Sequence, residues 1–77
     1  MEIKYSKQSI KFLKKLQKPV RGNIISAINK LPFGDVKKLK GTGATYRLRV
    51  DDYRILFNRH GDIIKIEKIG PRGDVYK

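Results

Sequence analysis

Residues 46–57 read YRLRVDDYRILF. Tyr46, Leu48 and Val50 alternate with Arg47 and Arg49, a period of two that places apolar groups on one face of a strand and cations on the other. Asp51-Asp52 interrupts the pattern, and Tyr53, Ile55 and Phe57 then resume the apolar phase with Arg54 on the opposite face. A two-residue turn at Asp51-Asp52 predicts a hairpin with Val50 opposite Tyr53, Arg49 opposite Arg54 and Leu48 opposite Ile55. Asp-Asp is a weaker turn signal than Asn-Gly.

That register gathers Arg47, Arg49 and Arg54 on one face. Like charges directly opposite each other cost a strand pair up to ~1 kcal/mol. Guanidinium forks on a rigid surface suit phosphate, because each donates two parallel hydrogen bonds. The residues themselves leave two readings open: an anion site, or a solvated basic strand face. Tyr46, Tyr53 and Phe57 share the apolar phase and read as core rather than as base-stacking platforms.

Outside the hairpin, the chain of 77 residues is expected to form a single domain, residues 1–77, with a small core. It contains no cysteine, so neither disulfides nor thiolate zinc can staple it. The opening MEIKYSKQ has no apolar run, and no stretch has the length of a membrane span. The expectation is a cytoplasmic protein without a secretory signal and without a membrane partner. A formal charge of +12 implies attraction to polyanions: nucleic acid, an anionic surface or an acidic protein. Hydrophobic content of 39% is low, yet its patterning argues for a folded domain rather than a basic tail.

Glu2–Tyr5 alternates and predicts a first strand with Ile3 and Tyr5 inward. Ser6 reads as the N-cap of a helix over about Lys7 to Gln17, with Ile10, Phe12, Leu13 and Leu16 as its apolar stripe. Lys7, Lys11, Lys14 and Lys18 form a basic stripe, read either as a solvated face or as a rail for a nucleic-acid backbone that would include Lys14. Pro19 opens a second helix to about Leu31, buried through Val20, Ile24, Ile25, Ile28 and Leu31, and the short break predicts an antiparallel helical hairpin. Asp35–Gly43 reads as a loop, with room for one helical turn, that carries Lys37, Lys38 and Lys40 as candidate RNA-binding cations. It is not a phosphate-cradling glycine loop, since no GxxxxGK[ST] follows a strand. His60-Gly61-Asp62 predicts a turn. Ile63–Ile69 predicts a final strand, whose Ile63-Ile64 doublet points to a bulge or two-sided burial. The fold class is therefore α+β: an N-terminal strand and a two-helix antiparallel hairpin on one face of a small, mainly antiparallel sheet.

The chemistry open to such a chain is narrow. One histidine and seven scattered acids offer no metal-ligand spacing, so no metal and no cofactor are expected. His60 reads as a solvated turn residue, with an acid/base role as the alternative. Asp51-Asp52 is explained by the turn rather than by glycoside chemistry. No Ser/His/Asp or Cys/His set can be assembled. Arginine and tyrosine remain. RNA is cleaved without metal when its own 2′-hydroxyl attacks the adjacent phosphate, and arginines can neutralise the charge that develops.

Taken together, LKGTGATYRLRV, DDYRILF and the terminal IGPRGDVYK, behind a helical hairpin, resemble the RelE/ParE superfamily of bacterial and archaeal type II toxins, over essentially the whole chain. The resemblance implies an mRNA endonuclease that cuts in the ribosomal A site and is silenced by a cognate antitoxin. Carried over by motif, its functional positions are Arg47 and Arg49, Arg54, Arg72 and Tyr76. Arg49 and Arg54 would contact phosphate and transition state, Arg72 would serve the leaving oxygen, and Tyr76 would stack on or orient the nucleotide. The position of Arg47 is lysine in some members, where it is proposed to help activate the 2′-hydroxyl. Arginine, with a pKa above ~12, is a poor proton carrier. Pro71 stands where the terminal motif often carries histidine.

The partners so implied are mRNA, the ribosome and an acidic antitoxin segment covering the arginine face. Two alternatives stay open. One is a ParE-like inhibitor of DNA gyrase without nuclease activity. The other is a generic basic nucleic-acid-binding module with steeply salt-dependent affinity.

Overall fold

The structure is a computed structural model, and it describes residues 2–39 and 45–71. The chain runs β1 (Glu2–Tyr5), α1 (Lys7–Lys15), α2 (Lys18–Asn29), β2 (Val36–Lys38), β3 (Thr45–Val50), β4 (Tyr53–His60) and β5 (Ile63–Pro71). The strands form one five-stranded sheet in the order β1-β5-β4-β3-β2. β1 runs parallel to β5, and every other neighbouring pair is antiparallel. The α+β arrangement expected from the sequence is the one found.

Both helices bury their apolar sides on one face of the sheet. Leu13, Ile24, Ile28 and Leu31 meet Leu48, Ile55, Phe57, Ile64, Ile66 and Ile69 in a single cluster. Tyr46 stacks on Phe57 at 5.4 Å and Phe12 meets Tyr53 edge-on at 6.0 Å, so the hairpin aromatics belong to this layer.

The helical layer is tied to the sheet where β1 ends. β1 covers β5 only as far as Tyr5 opposite Ile66, which would leave the next backbone groups of β5 unpaired. Ser6 and Gln8 take over. The Ser6 amide donates to the Ile66 carbonyl at 2.9 Å, and its hydroxyl donates to the Glu67 carbonyl at 2.7 Å. The same hydroxyl accepts from the Ser9 amide at 3.1 Å, capping α1. The Gln8 side-chain amide then pairs both ways with Ile69, its Nε2 donating to the carbonyl and its Oε1 accepting from the amide, each at 3.1 Å.

This anchoring sets the rotation of α1 and corrects one expectation. Ser9 and Leu13 face the sheet, whereas Ile10, expected in the apolar stripe, is 41% exposed. α1 also stops at Lys15, with Leu16 extended, so Lys18 belongs to α2 and the four-lysine stripe is not one helix face.

Three further expectations change. The segment read as a loop contains β2, three residues paired with β3 with Val36 opposite Leu48 and Lys37 opposite Arg47. Two adjacent lysines hid a strand too short to show a period. The irregularity of β5 also lies elsewhere. Ile63 faces out and Ile64 in, as simple alternation requires, while the register slips where Leu56 pairs with Lys68 but Phe57 with Ile66. The extra residue is Glu67, and the phase shift shows in the three-residue spacing from Ile66 to Ile69. His60 ends β4, paired with Ile63, rather than standing in a turn.

Candidate nucleic-acid interface

The hairpin register is the expected one, with Arg49 opposite Arg54 and Leu48 opposite Ile55. Directly paired residues point to the same side of a sheet. With Leu48 and Ile55 under the helices, the alternate residues form the open face. One row across it reads Lys37, Arg47, Leu56, Lys68; the next reads Arg49, Arg54, Gly70. Four strands thus bring together cations that are up to 31 positions apart between Lys37 and Lys68.

The arginines differ in their surroundings. Arg54 is 7% exposed. Its Nη1 donates to the Asp51 carbonyl at 3.1 Å and to the Tyr53 carbonyl at 3.0 Å, tying the side chain to the turn. Its neighbour in the row is Gly70, which has no side chain to contest the space. Asp51 takes the positive φ of the turn, 52°, a conformation aspartate tolerates. Arg49 is exposed. Arg47 Nη2 lies 3.6 Å from Asp35 Oδ1.

Of the other candidate cations, Lys37 shares the arginine face. Lys38 pairs with Tyr46 and so belongs to the opposite side of the sheet. Lys14 is exposed on α1, in the helical layer behind the sheet. Neither Lys14 nor Lys38 is brought together with the arginines. Lys40, Arg72 and Tyr76 lie outside the described residues. Pro71, the last residue of β5, pairs with Tyr53, so β5 ends beside the row that holds Arg49 and Arg54. His60 is exposed and lies six positions along β4 from Arg54, about 20 Å away.

Sequence reasoning missed Asp35, Asn58, Glu67 and Lys68. Asn58 Nδ2 donates to Glu67 Oε1 at 2.8 Å on the open face. The signal for Lys68 was the Ile66–Ile69 spacing. For Asp35 it was the two-residue step to Lys37, informative only once β2 is known to be a strand. A pocket of about 450 Å³ lies between α2 and this edge of the sheet, lined by residues including Asn23, Lys30, Phe33, Asp35, Leu48 and Arg49. Phe33 there is 77% exposed.

Among the described residues no group of three or more His, Cys, Asp or Glu could hold a metal ion. Among the same residues no helix is long and apolar enough to cross a membrane.

Comparison with solved structures places this geometry. The chain is 34% identical to a protein in the archaeal RelE-RelB complex from Pyrococcus horikoshii OT3, covering 95% of this chain and 96% of that one, with a TM-score of 0.77. It is 30% identical to a protein in the RelB-RelE antitoxin-toxin complex from Methanococcus jannaschii, covering 95% and 94%, again with a TM-score of 0.77. A mutant of the E. coli toxin RelE in the free state shares the fold at 16% identity, over 97% of this chain and 88% of that one, with a TM-score of 0.73. No protein-family model and no curated protein matches the sequence.

Proposed function

Since the chain belongs to the RelE family of toxins of toxin–antitoxin systems, we propose that it is an mRNA interferase, cutting messages in the ribosomal A site without a metal. The observation that carries this reading is the row structure of the open face, with Lys37, Arg47, Arg49 and Arg54 on one side of a rigid sheet. In the reaction the ribose 2′-hydroxyl attacks the adjacent phosphorus and the 5′-oxygen leaves. Negative charge builds on the phosphoryl oxygens, and fixed guanidinium groups favour that charge more in the transition state than in the ground state. Arg49, exposed, meets the phosphate. Arg54, held by two carbonyls, keeps its place as charge develops. Arg72 and Tyr76 complete the set in this reading, at the leaving oxygen and on the nucleotide.

A site of this kind requires silencing in the cell that makes it. The solved relatives from M. jannaschii and P. horikoshii are complexes with RelB. By the same logic a cognate antitoxin covers the arginine face here, with acidic side chains opposite a chain of charge +12. Action on ribosomes places the protein in the cytoplasm.

The test is induction in cells followed by mapping of new mRNA 5′ ends on stalled ribosomes. Cuts at a fixed position in the A-site codon are expected, and an Arg49→Ala, Arg54→Ala double variant should remove them. DNA damage with translation initially intact would instead favour gyrase as the target. Salt-sensitive binding to any nucleic acid, without growth arrest, would leave only a basic binding module.

A further inference from the structure

Arginine stabilises a phosphorane but does not accept a proton, and the attacking 2′-hydroxyl must lose one. The proton acceptor has to be found elsewhere on the face. Among the described residues, Asp35 is the carboxylate that meets the arginine rows, with Oδ1 at 3.6 Å from Arg47 Nη2. Its placement is fixed by backbone. The Arg49 amide donates to the Asp35 carbonyl at 3.0 Å, one step beyond the Val36–Leu48 pair, so Asp35 stands opposite Arg49 and shares the face with Lys37 and Arg47. Gly34, at φ +117°, makes the preceding bend, with the Val36 amide donating to its carbonyl at 2.9 Å.

Exposure agrees with a working group. The Asp35 side chain is 59% exposed against 15% for Arg47, so the carboxylate is the reachable member of the pair. Asp35 and Arg49 also stand at the rim of the pocket of about 450 Å³ that runs back from this edge between β3 and α2. The other candidates are placed less well. Glu67 is engaged by Asn58, and His60 lies at the far end of β4.

We propose that Asp35 is the general base of the cleavage, an assignment that rests on the nuclease reading above. Its carboxylate takes the 2′-hydroxyl proton as the O2′–P bond forms and the P–O5′ bond breaks. The products are a 2′,3′-cyclic phosphate and a 5′-hydroxyl. The departing 5′-oxygen takes its proton from water, and the hydroxide left behind recovers the proton held by Asp35. Arg47, 3.6 Å away, keeps the carboxylate aimed. A basic residue at position 47 thereby contributes to proton transfer through Asp35, without itself having to accept the proton.

The experiment uses programmed ribosomes with the purified chain in single-turnover cleavage, comparing wild type with Asp35→Asn, Asp35→Glu and Asp35→Ala. Loss of a general base predicts a fall of about 10²- to 10⁴-fold in the Asn and Ala variants with half-saturation little changed, and substantial recovery in Asp35→Glu. Acetate, but not chloride at equal ionic strength, should raise the rate of Asp35→Ala and leave Arg49→Ala unmoved, a response that a merely structural role would not give. A folded Asp35→Asn that cuts within about threefold of wild type overturns the assignment, as does an Asp35→Ala rate indifferent to acetate. If Asp35→Ala does not fold, the isosteric Asn variant decides. Wild-type protein that cuts nothing overturns the nuclease reading and this assignment together. Wild-type cutting matched by Asp35→Asn overturns this assignment alone.

Discussion

Arg49 and Arg54 stand directly opposite each other across the β3–β4 pair, yet one is exposed and the other 7% exposed. Two cations in register oppose pairing, and the cost is up to ~1 kcal/mol. A hairpin selected for stability alone would not hold this pair. Replacing Arg49 by Ala should therefore abolish cleavage while leaving the melting temperature unchanged or higher. Thermal unfolding at low and high salt checks the cause: the wild type should gain more from added salt than the variant does, because screening relieves the repulsion.

Arg54 should behave differently. Its guanidinium holds the Asp51 and Tyr53 carbonyls, so Arg54→Ala loses two hydrogen bonds, about 2 kcal/mol together, as well as activity. Denaturant titration separates the two arginines. A stable, inactive Arg49 variant beside a destabilised, inactive Arg54 variant is the expected outcome.

Gln8 stands in for a missing stretch of strand along β5. Gln8→Ala leaves the Ile69 amide and carbonyl without that partner and should cost about 1–3 kcal/mol. Hydrogen exchange at the Ile69 amide should quicken more than at Ile55 in the sheet centre. Equal protection in variant and wild type would show that the side-chain pair contributes nothing.

Gly22 occupies an exposed position in α2, and a methyl group there meets nothing within 4 Å. Gly22→Ala should stabilise the chain by up to ~1 kcal/mol through helix propensity, with cleavage unaffected. For a domain of this size that corresponds to a rise of roughly 4–8 °C in melting temperature.

Burial raises the Tyr5 phenol above its ordinary value of 10.0. The folded state then holds that proton more tightly than the unfolded state. The contribution is intact below the ordinary value and is lost as pH rises through the raised one. Stability should fall more steeply above pH ~10 in wild type than in Tyr5→Phe, measured by denaturant unfolding across that range.

The hairpin was legible because alternation over five residues on each side of Asp51-Asp52 fixes both faces and the turn fixes the register. Arg47, Arg49 and Arg54 follow from that arithmetic without any tertiary information. The rotation of α1 did not, since Ile10 fits an apolar stripe as well as Ser9 and Leu13 do until Ser6 and Gln8 hydrogen-bond to β5. β2 escaped notice for a similar reason: its strand character comes from pairing with β3 rather than from its own residues.

By itself, then, the sequence determined the order and type of most elements, the cationic face of the hairpin and the charge that calls for a polyanion. These are local properties, set by side-chain period and composition. Only the tertiary structure decided which other residues share that face. The β2–β3 pairing brings in Lys37 and Asp35, and the slip at Glu67 turns Lys68 outward beside Leu56. Such neighbours are fixed by inter-strand hydrogen bonds between distant segments, and no window of sequence contains both partners.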